Sequence, residues 1–245
     1  GIGLSSGSTL YSTGSPAASA GVRIMKVVPI LTKLNIPSTK LINSTIPLYR
    51  FSVTAPSTGS VGLYKFTYSV ATTSATTTAM QVRGYSDSAF SQAAYANNGL
   101  LNAATNSGVV NTTGGFFEVT FDPVGQAGTA EAIQVPAGTT RYFELIGTVA
   151  GATTNSNITA NLQGDAIWTA GTNTSGDNAD TFTGTGAGNY AFATTAANVD
   201  AGTHDDFIWS DNATTTSGVA TYDWVNGAHV PGLPSTNMTN EVLTF

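Results

Sequence analysis

Histidine, carboxylate and serine come together once in this chain: His204 is followed by Asp205 and Asp206, then by Ser210 and Asp211. These are the residue types of acyl transfer, in which a carboxylate orients an imidazole that takes a proton from a hydroxyl. Their frame argues against that chemistry. No G-x-S-x-G or similar turn presents a serine. Adjacent residues on a strand point to opposite faces, so His204 and Asp205 would not cooperate there. A solvated turn ahead of a Phe207–Trp209 strand is the expected role. The only other histidine is His229, and there is no cysteine, which excludes disulfides, thiolate metal sites and cysteine nucleophiles.

The acids suit hard cations better. Asp200, Asp205, Asp206 and Asp211, with Asn198, could supply oxygen ligands to calcium, as could Asp177, Asn178 and Asp180. Neither group matches the D-x-[DN]-x-[DN]-G loop, so plain solvated carboxylates compete with calcium, and no other cofactor is expected. Glu118, Glu131, Glu144 and Glu241 fall in different predicted strands with no motif around them. Nothing marks a glycosidase carboxylate pair, and the chain reads as a non-enzyme. Sequons at Asn43, Asn111, Asn157, Asn173, Asn212 and Asn237 are candidate glycan attachment points, with O-linked sugar on Thr and Ser as an alternative. Trp168, Trp209, Trp224 and Tyr222 could form a sugar-binding platform, but packing between sheets is the expected use.

Those side chains sit on an unusual background. Charged residues make up 9% of the 245, against roughly 25% in ordinary soluble domains. Hydroxyls and amides must therefore cover the surface, a composition suited to life in an assembly or under sugar. All eight basic residues lie within positions 1–141 beside four acids, and ten acids with no Lys or Arg follow: 8 − 4 = +4 against −10, giving the net −6. Either this is drift along a low-charge chain, or the halves separate in space and form a dipole that stacks head to tail. Eight scattered cations make no nucleic-acid patch. The longest apolar run, Ile24 to Leu34, is broken by Lys26, Pro29, Thr32 and Lys33, so no membrane span is expected. The opening at Gly1 without Met reads as a mature, exported product.

Period-two alternation marks the elements. In Pro47–Thr54, Tyr49, Phe51 and Val53 share a face opposite Arg50 and Ser52. In Leu63–Val70, Tyr64, Phe66, Tyr68 and Val70 alternate with Lys65, Thr67 and Ser69. Phe117, Val119 and Phe121 alternate with Glu118 and Thr120; Phe143, Leu145 and Val149 oppose Tyr142, Glu144 and Ile146; and Ile158, Ala160 and Leu162 begin an Asn157–Trp168 run. Ser91–Leu101 has room for one short helix at most. Residues 1–21 form a Gly/Ser-rich lead whose only large apolar groups are Ile2, Leu4, Leu10 and Tyr11. Alone it should be disordered, so a neighbouring subunit or its own domain must tie it down.

Three phrases, IPLYRFSVTAPSTGSVGLYKFTYSVATTSATTT (46–78), VPAGTTRYFELIGTVAG (135–151) and DDFIWSDNATTTSGVATYDWVNGAHVPGLP (205–234), resemble Thr-rich secreted surface proteins with immunoglobulin-like β modules from ultra-small uncultured bacteria. The resemblance implies an extracellular, surface-layer or filament role and supplies no catalytic residues. The expectation is an all-β protein: an antiparallel β-sandwich, immunoglobulin-like or jelly-roll-like, with an extended N-terminal segment. Its division is 1–21 as that segment and 22–245 as the sandwich, with 171–203 as low-complexity loops or a hairpin. Its partners are copies of itself, joined through Ile2, Leu4, Leu10 and Tyr11 as a donated strand. The closing Val242–Phe245 is a second candidate donor. A surface adhesin or carbohydrate-binding module is the competing reading.

Overall fold

The computed structural model describes residues 24–102, 115–123, 131–166, 206–213 and 224–245. Among them eleven strands run in chain order: β1 (Ile30–Leu34), β2 (Thr45–Thr54), β3 (Val61–Thr73), β4 (Thr76–Tyr85), β5 (Gly115–Thr120), β6 (Ile133–Val135), β7 (Thr140–Ala150), β8 (Asn157–Leu162), β9 (Phe207–Ser210), β10 (Trp224–Val225) and β11 (Glu241–Thr244). Helix among the described residues is limited to one 3-10 turn, Asn97–Gly99. The protein is all-β, as its alternation predicts. One sheet has the order β1-β2-β7-β4, and the other contains β3-β8-β11, with antiparallel strand pairing throughout. That is the A-B-E-D and C-F-G order of an immunoglobulin constant-type sandwich. Two insertions enlarge the second sheet. Between β4 and β7 come β5 and β6, which pair end to end along one flank of β3; between β8 and β11 come β9, which continues the other flank, and β10 beside it.

The inner faces meet in aromatic packing. Phe66 of β3 lies 5.1 Å from Phe51 of β2, 5.1 Å from Phe143 of β7, 4.7 Å from Phe121 and 5.1 Å from Phe207. All five rings are fully buried. Such pairs add about 0.5–1.5 kcal/mol each beyond the area they bury. Tyr49 and Tyr68 extend the seam, 6.4 Å apart. The Tyr49 hydroxyl donates to the Thr239 carbonyl at 3.0 Å, and that of Tyr68 has no hydrogen-bond partner among the described residues.

Bulges set the phase of this packing. Opposite β9, the register of β3 slips between Leu63 and Lys65. Val61 and Leu63 therefore face the core with Phe66, Tyr68 and Val70, and Tyr64 turns to a separate cluster with Ile208 and Trp224. Unbroken alternation puts Tyr64 with Phe66; the inserted residue overturns that. On the first sheet β2 and β4 both slip against the same stretch of β7, between Pro47 and Tyr49 and between Thr78 and Gln81. Gly147 of β7 makes room for them. A Cβ there would stand 2.8 Å from Leu48 Cδ1 and 3.4 Å from Met80 Cγ.

The first insertion closes one side of the sandwich. Along the outer edge of β4, Ser86 N–H donates to Gln92, Ala94 N–H to Gly84 and Leu101 N–H to Val82. The Asn102 amide completes the edge, accepting from Val82 N–H at 2.7 Å and donating to the Met80 carbonyl at 2.9 Å. Asp122 N–H donates to the Leu101 carbonyl, which joins this cap to the end of β5. The Tyr95 ring lies against Gly84, where a Cβ would come within 2.6 Å of it, and its hydroxyl reaches the Gln134 carbonyl in β6. Among the described strands the basic and acidic parts of the chain interleave: β7 lies between β2 and β4, and β8 pairs directly with β3. Asp177, Asp180, Asp200, Asp205 and Asp223, five of the ten acids that follow position 141, lie outside the described residues. Among the described residues no helix is long and apolar enough to cross a membrane.

Phe66→Ala should cost about 3–5 kcal/mol, read as a fall in the urea midpoint, because a ring meeting four others leaves a cavity the sheets cannot close. Burial pushes the phenols of Tyr49 and Tyr68 well above the ordinary value of 10.0. The folded state thus favours the neutral phenol, and its contribution is complete below that value and lost at higher pH. In a spectrophotometric titration these two tyrosines should ionise only as the β-sheet circular dichroism collapses.

Candidate assembly surface

The side opposite the cap is built by a chain that changes sheets. β1 ends at Leu34, Pro37 interrupts backbone donation at the crossing, and Lys40 then bridges Thr244 of β11 in parallel. Leu41 N–H donates to the Thr244 carbonyl at 2.7 Å, and Thr244 N–H to the Thr39 carbonyl at 3.0 Å. Lys33 Nζ pairs with Glu241 Oε2 at 2.6 Å and stands 5.8 Å from the Tyr49 ring centroid, holding β1 beside β11. The described residues cover only part of this side. Leu31 N–H is taken by the Pro231 carbonyl at 2.8 Å. By the alternation of antiparallel ladders, Lys33 and Val242 then turn their backbone groups outward like Leu31 and Thr244.

Among the described residues, exposure of large apolar side chains falls on the same strands or the chain beside them. The exposed large apolar residues are Ile24 (90%), Ile30 (47%), Ile42 (43%), Val242 (47%) and Phe245 (53%). All belong to β1, to β11, or to the chain leading into or out of them. Ile42 and Phe245 each lie within two residues of the Lys40–Thr244 bridge. The sequence hid this grouping because some 200 residues separate Ile42 from Val242 and Phe245, while Val242 looks like any residue of an alternating strand.

The expected connector residues Ile2, Leu4, Leu10 and Tyr11 lie outside the described residues, as do the segment 171–203, His204, Trp168 and Tyr222. The other proposed donor, Val242–Phe245, does not stand free: β11 pairs with β8 of its own sheet from Glu241 to Thr244. Of the calcium candidates, Asp200 and Asp205 are outside the described residues, and Asp206 and Asp211 flank β9. Five residues of extended chain hold those two about 16 Å apart, too far to share an ion. Asp211 is buried and accepts Lys26 N–H at 2.7 Å and Ala213 N–H at 3.2 Å. Among the described residues no three acids or histidines gather as a metal site would require.

Asn111 and Asn173 also fall outside the described residues. Asn43 is exposed, its amide paired both ways with the backbone of Ala152 at 2.7 and 3.0 Å. Asn157 is half-buried at the start of β8, between Thr73 and Thr244. Asn212 is half-buried, its amide nitrogen donating to Ser60 Oγ at 3.0 Å and Gln134 Oε1 at 2.7 Å. Asn237 is half-buried and donates to the Met238 carbonyl at 2.8 Å. Asn43 alone of the four presents an exposed side chain. Trp209 and Trp224 are buried, Trp209 donating to the Asn226 carbonyl at 2.9 Å, so they pack as expected and form no platform. His229 is exposed in a left-handed turn, with φ 63°.

Two polar groupings escape sequence reading because their partners are remote in the chain. On the outer face of the first sheet, Glu144 of β7 meets Arg50 Nη2 at 2.5 Å and Tyr85 Oη at 3.4 Å, and Phe90 lies 3.8 Å over the Arg50 guanidinium. Phe90 is carried there by a loop pinned at Asp87, which accepts the Gln92 N–H at 2.7 Å and the Ser91 N–H. Those bonds hold the Asp87 carboxyl below the ordinary carboxylate range. The second grouping centres on Asp165, which is buried and takes N–H bonds from Asp206 at 2.7 Å, Phe207 at 3.1 Å and Gly227 at 2.6 Å. It fixes both the start of β9 and the turn after β10.

No protein-family model matches the chain, and none of the curated proteins does. Among solved structures it is similar to one described as "AvmM Catalyzes Macrocyclization in Alchivemycin A Biosynthesis", at 10% identity over 59% of this chain and 76% of that one, with a TM-score of 0.26. A likeness that slight carries no argument about activity. The class that fold and surface define is an immunoglobulin-order β-sandwich with one side capped and the other, among the described residues, only partly covered.

Asp165→Ala strands three buried N–H groups. It should lower stability by about 2–4 kcal/mol in urea unfolding, whereas Asp87→Ala, in an exposed loop, should leave the urea midpoint nearly unchanged.

Proposed function

We propose that the chain is a self-assembling structural subunit of an extracellular surface, either a filament or a surface layer, and not an enzyme. The observation that carries this reading is that, among the described residues, the exposed large apolar side chains fall on the β1/β11 side. Low charge, 9% of residues, supports it, because little repulsion opposes contact between copies.

Magnitudes favour strand addition over a simple greasy patch. Fully burying an Ile, Val or Phe side chain gains about 1.5–3 kcal/mol, and about half of each except Ile24 is already covered here. The five residues then yield roughly 4–8 kcal/mol, near the lower end of what association costs in lost freedom. Backbone pairing along the β1/β11 side would add the rest, and the lead with Ile2, Leu4, Leu10 and Tyr11 is the proposed donor from a neighbouring copy. Deletion of residues 1–14 should leave the circular dichroism intact and abolish polymers in negative-stain images. Ile42→Lys with Phe245→Lys should do the same through the acceptor side. Native protein that remains monomeric by sedimentation at high concentration would defeat the proposal.

The competing role, a surface adhesin or carbohydrate-binding module, draws on a different observation: Tyr85, Phe90 and Tyr142 gather over Arg50 and Glu144 on the outer face of the first sheet. A monomer that retains a sugar on a glycan array, and loses it in Tyr142→Ala, would favour this role.

A further inference from the structure

Three ion pairs join described strands, and one differs in kind. Lys33–Glu241 keeps 22% and 11% of its side chains exposed and Arg50–Glu144 keeps 15% and 5%, whereas Lys65–Glu118 keeps 9% and 8%. It is the one pair with both side chains below a tenth exposed, and its cation is a primary amine. Lys65 of β3 stands opposite Thr120 of β5, and Glu118 opposite Thr67. The two are thus diagonal neighbours on one face, with side chains in direct contact. Thr67 is 2% exposed, and its hydroxyl has no hydrogen-bond partner among the described residues. On the other flank of Lys65, β9 supplies Ile208, part of the apolar cluster with Tyr64 and Trp224.

We infer that Lys65 and Glu118 condense into an intramolecular amide, a covalent cross-link between β3 and β5. The ammonium first passes one proton to the carboxylate, leaving an amine beside a carboxylic acid. The Lys65 nitrogen lone pair then forms a bond to the Glu118 carbonyl carbon, and the carbonyl π electrons move onto oxygen. The Thr67 hydroxyl, directly across the ladder from Glu118, donates a hydrogen bond to that oxygen. A proton from nitrogen passes to the acid hydroxyl, the C–O bond breaks and water leaves. The sum is R–NH3+ plus R′–COO− giving R′–CO–NH–R plus H2O, with no oxidant or reductant.

Two physical terms drive the step. Fixed reacting groups act at effective molarities of roughly 10⁵–10⁸ M, which replaces the activation that amide formation requires in water. Burying an ammonium and a carboxylate strips both ions of water, and condensation removes both charges. Arg50–Glu144 cannot follow this route, because a guanidinium stays protonated and is a poor nucleophile. The inference is independent of whether copies of the chain assemble.

Intact-mass measurement of the denatured full chain tests it. The folded wild type should weigh less than its sequence by one water, and digestion should yield a branched peptide joining the β3 and β5 segments. Lys65→Arg keeps the ion pair and Glu118→Ala removes the acid; both should show their full sequence mass. Glu118→Gln can condense with loss of ammonia and should reach the same final mass as the wild type, since the product is the same amide. A wild-type chain with β-sheet circular dichroism and its full sequence mass would overturn the inference. So would a water loss that persists in Lys65→Arg, which would place it in a succinimide elsewhere.

Discussion

Two sheets with no disulfide between them must be held by side chains alone, and here that task falls on the rings around Phe66. Its four neighbours come from β2, β7, the end of β5 and the start of β9, so one side chain touches both sheets and both insertions. Aromatic rings suit this role because they fill the space between sheets at low conformational cost and still favour particular edge-to-face angles. The bulges serve the same seam. Without the extra residue near Tyr64, Leu63 and Phe66 could not both face inward along β3. Without Gly147, Leu48 and Met80 could not both close over β7.

Once the seam fixes the sandwich, the edges decide how it meets its surroundings. Unpaired strand edges invite other strands. The insertion between β4 and β7 covers one side with backbone bonds, the Asn102 amide and the Tyr95 ring. The β1/β11 side receives less: one bond from Leu31 to Pro231, a single parallel bridge and an ion pair. The asymmetry follows from where the insertions enter an immunoglobulin-order chain. The first leaves after β4 and re-enters at β7, so it naturally falls across the far edges of both sheets.

The strands that were legible are those buried on one face with large apolar residues, such as Tyr49–Phe51–Val53 and Ile158–Ala160–Leu162. β4 was not, because Thr76–Thr78 carries no contrast between faces and a bulge at Ala79 then shifts the pattern. Alternation places Tyr64 in the wrong cluster for the same reason: a period of two has no room for an inserted residue. Polar groupings were less legible still. Glu144 and Arg50 are 94 residues apart, and Asp165 bonds to backbone groups that leave no trace in side-chain spacing. The charge split between the chain's halves is visible in the sequence but does not sort the described strands, because antiparallel pairing sets β7 between β2 and β4 and β8 beside β3.

The short parallel contact at Lys40–Thr244 bears on how the fold would respond to force. Tension entering through Ile24 and leaving through Phe245 pulls residues 39–41 and β11 in opposite directions along their common axis. The Leu41–Thr244 and Thr244–Thr39 hydrogen bonds are then loaded together, in shear, rather than opened in turn as in a hairpin peeled from its end. The Lys33–Glu241 pair lies between the same two stretches of chain and shares that load. A fold assembled for compactness thus carries a small mechanical clamp where its first and last strands meet.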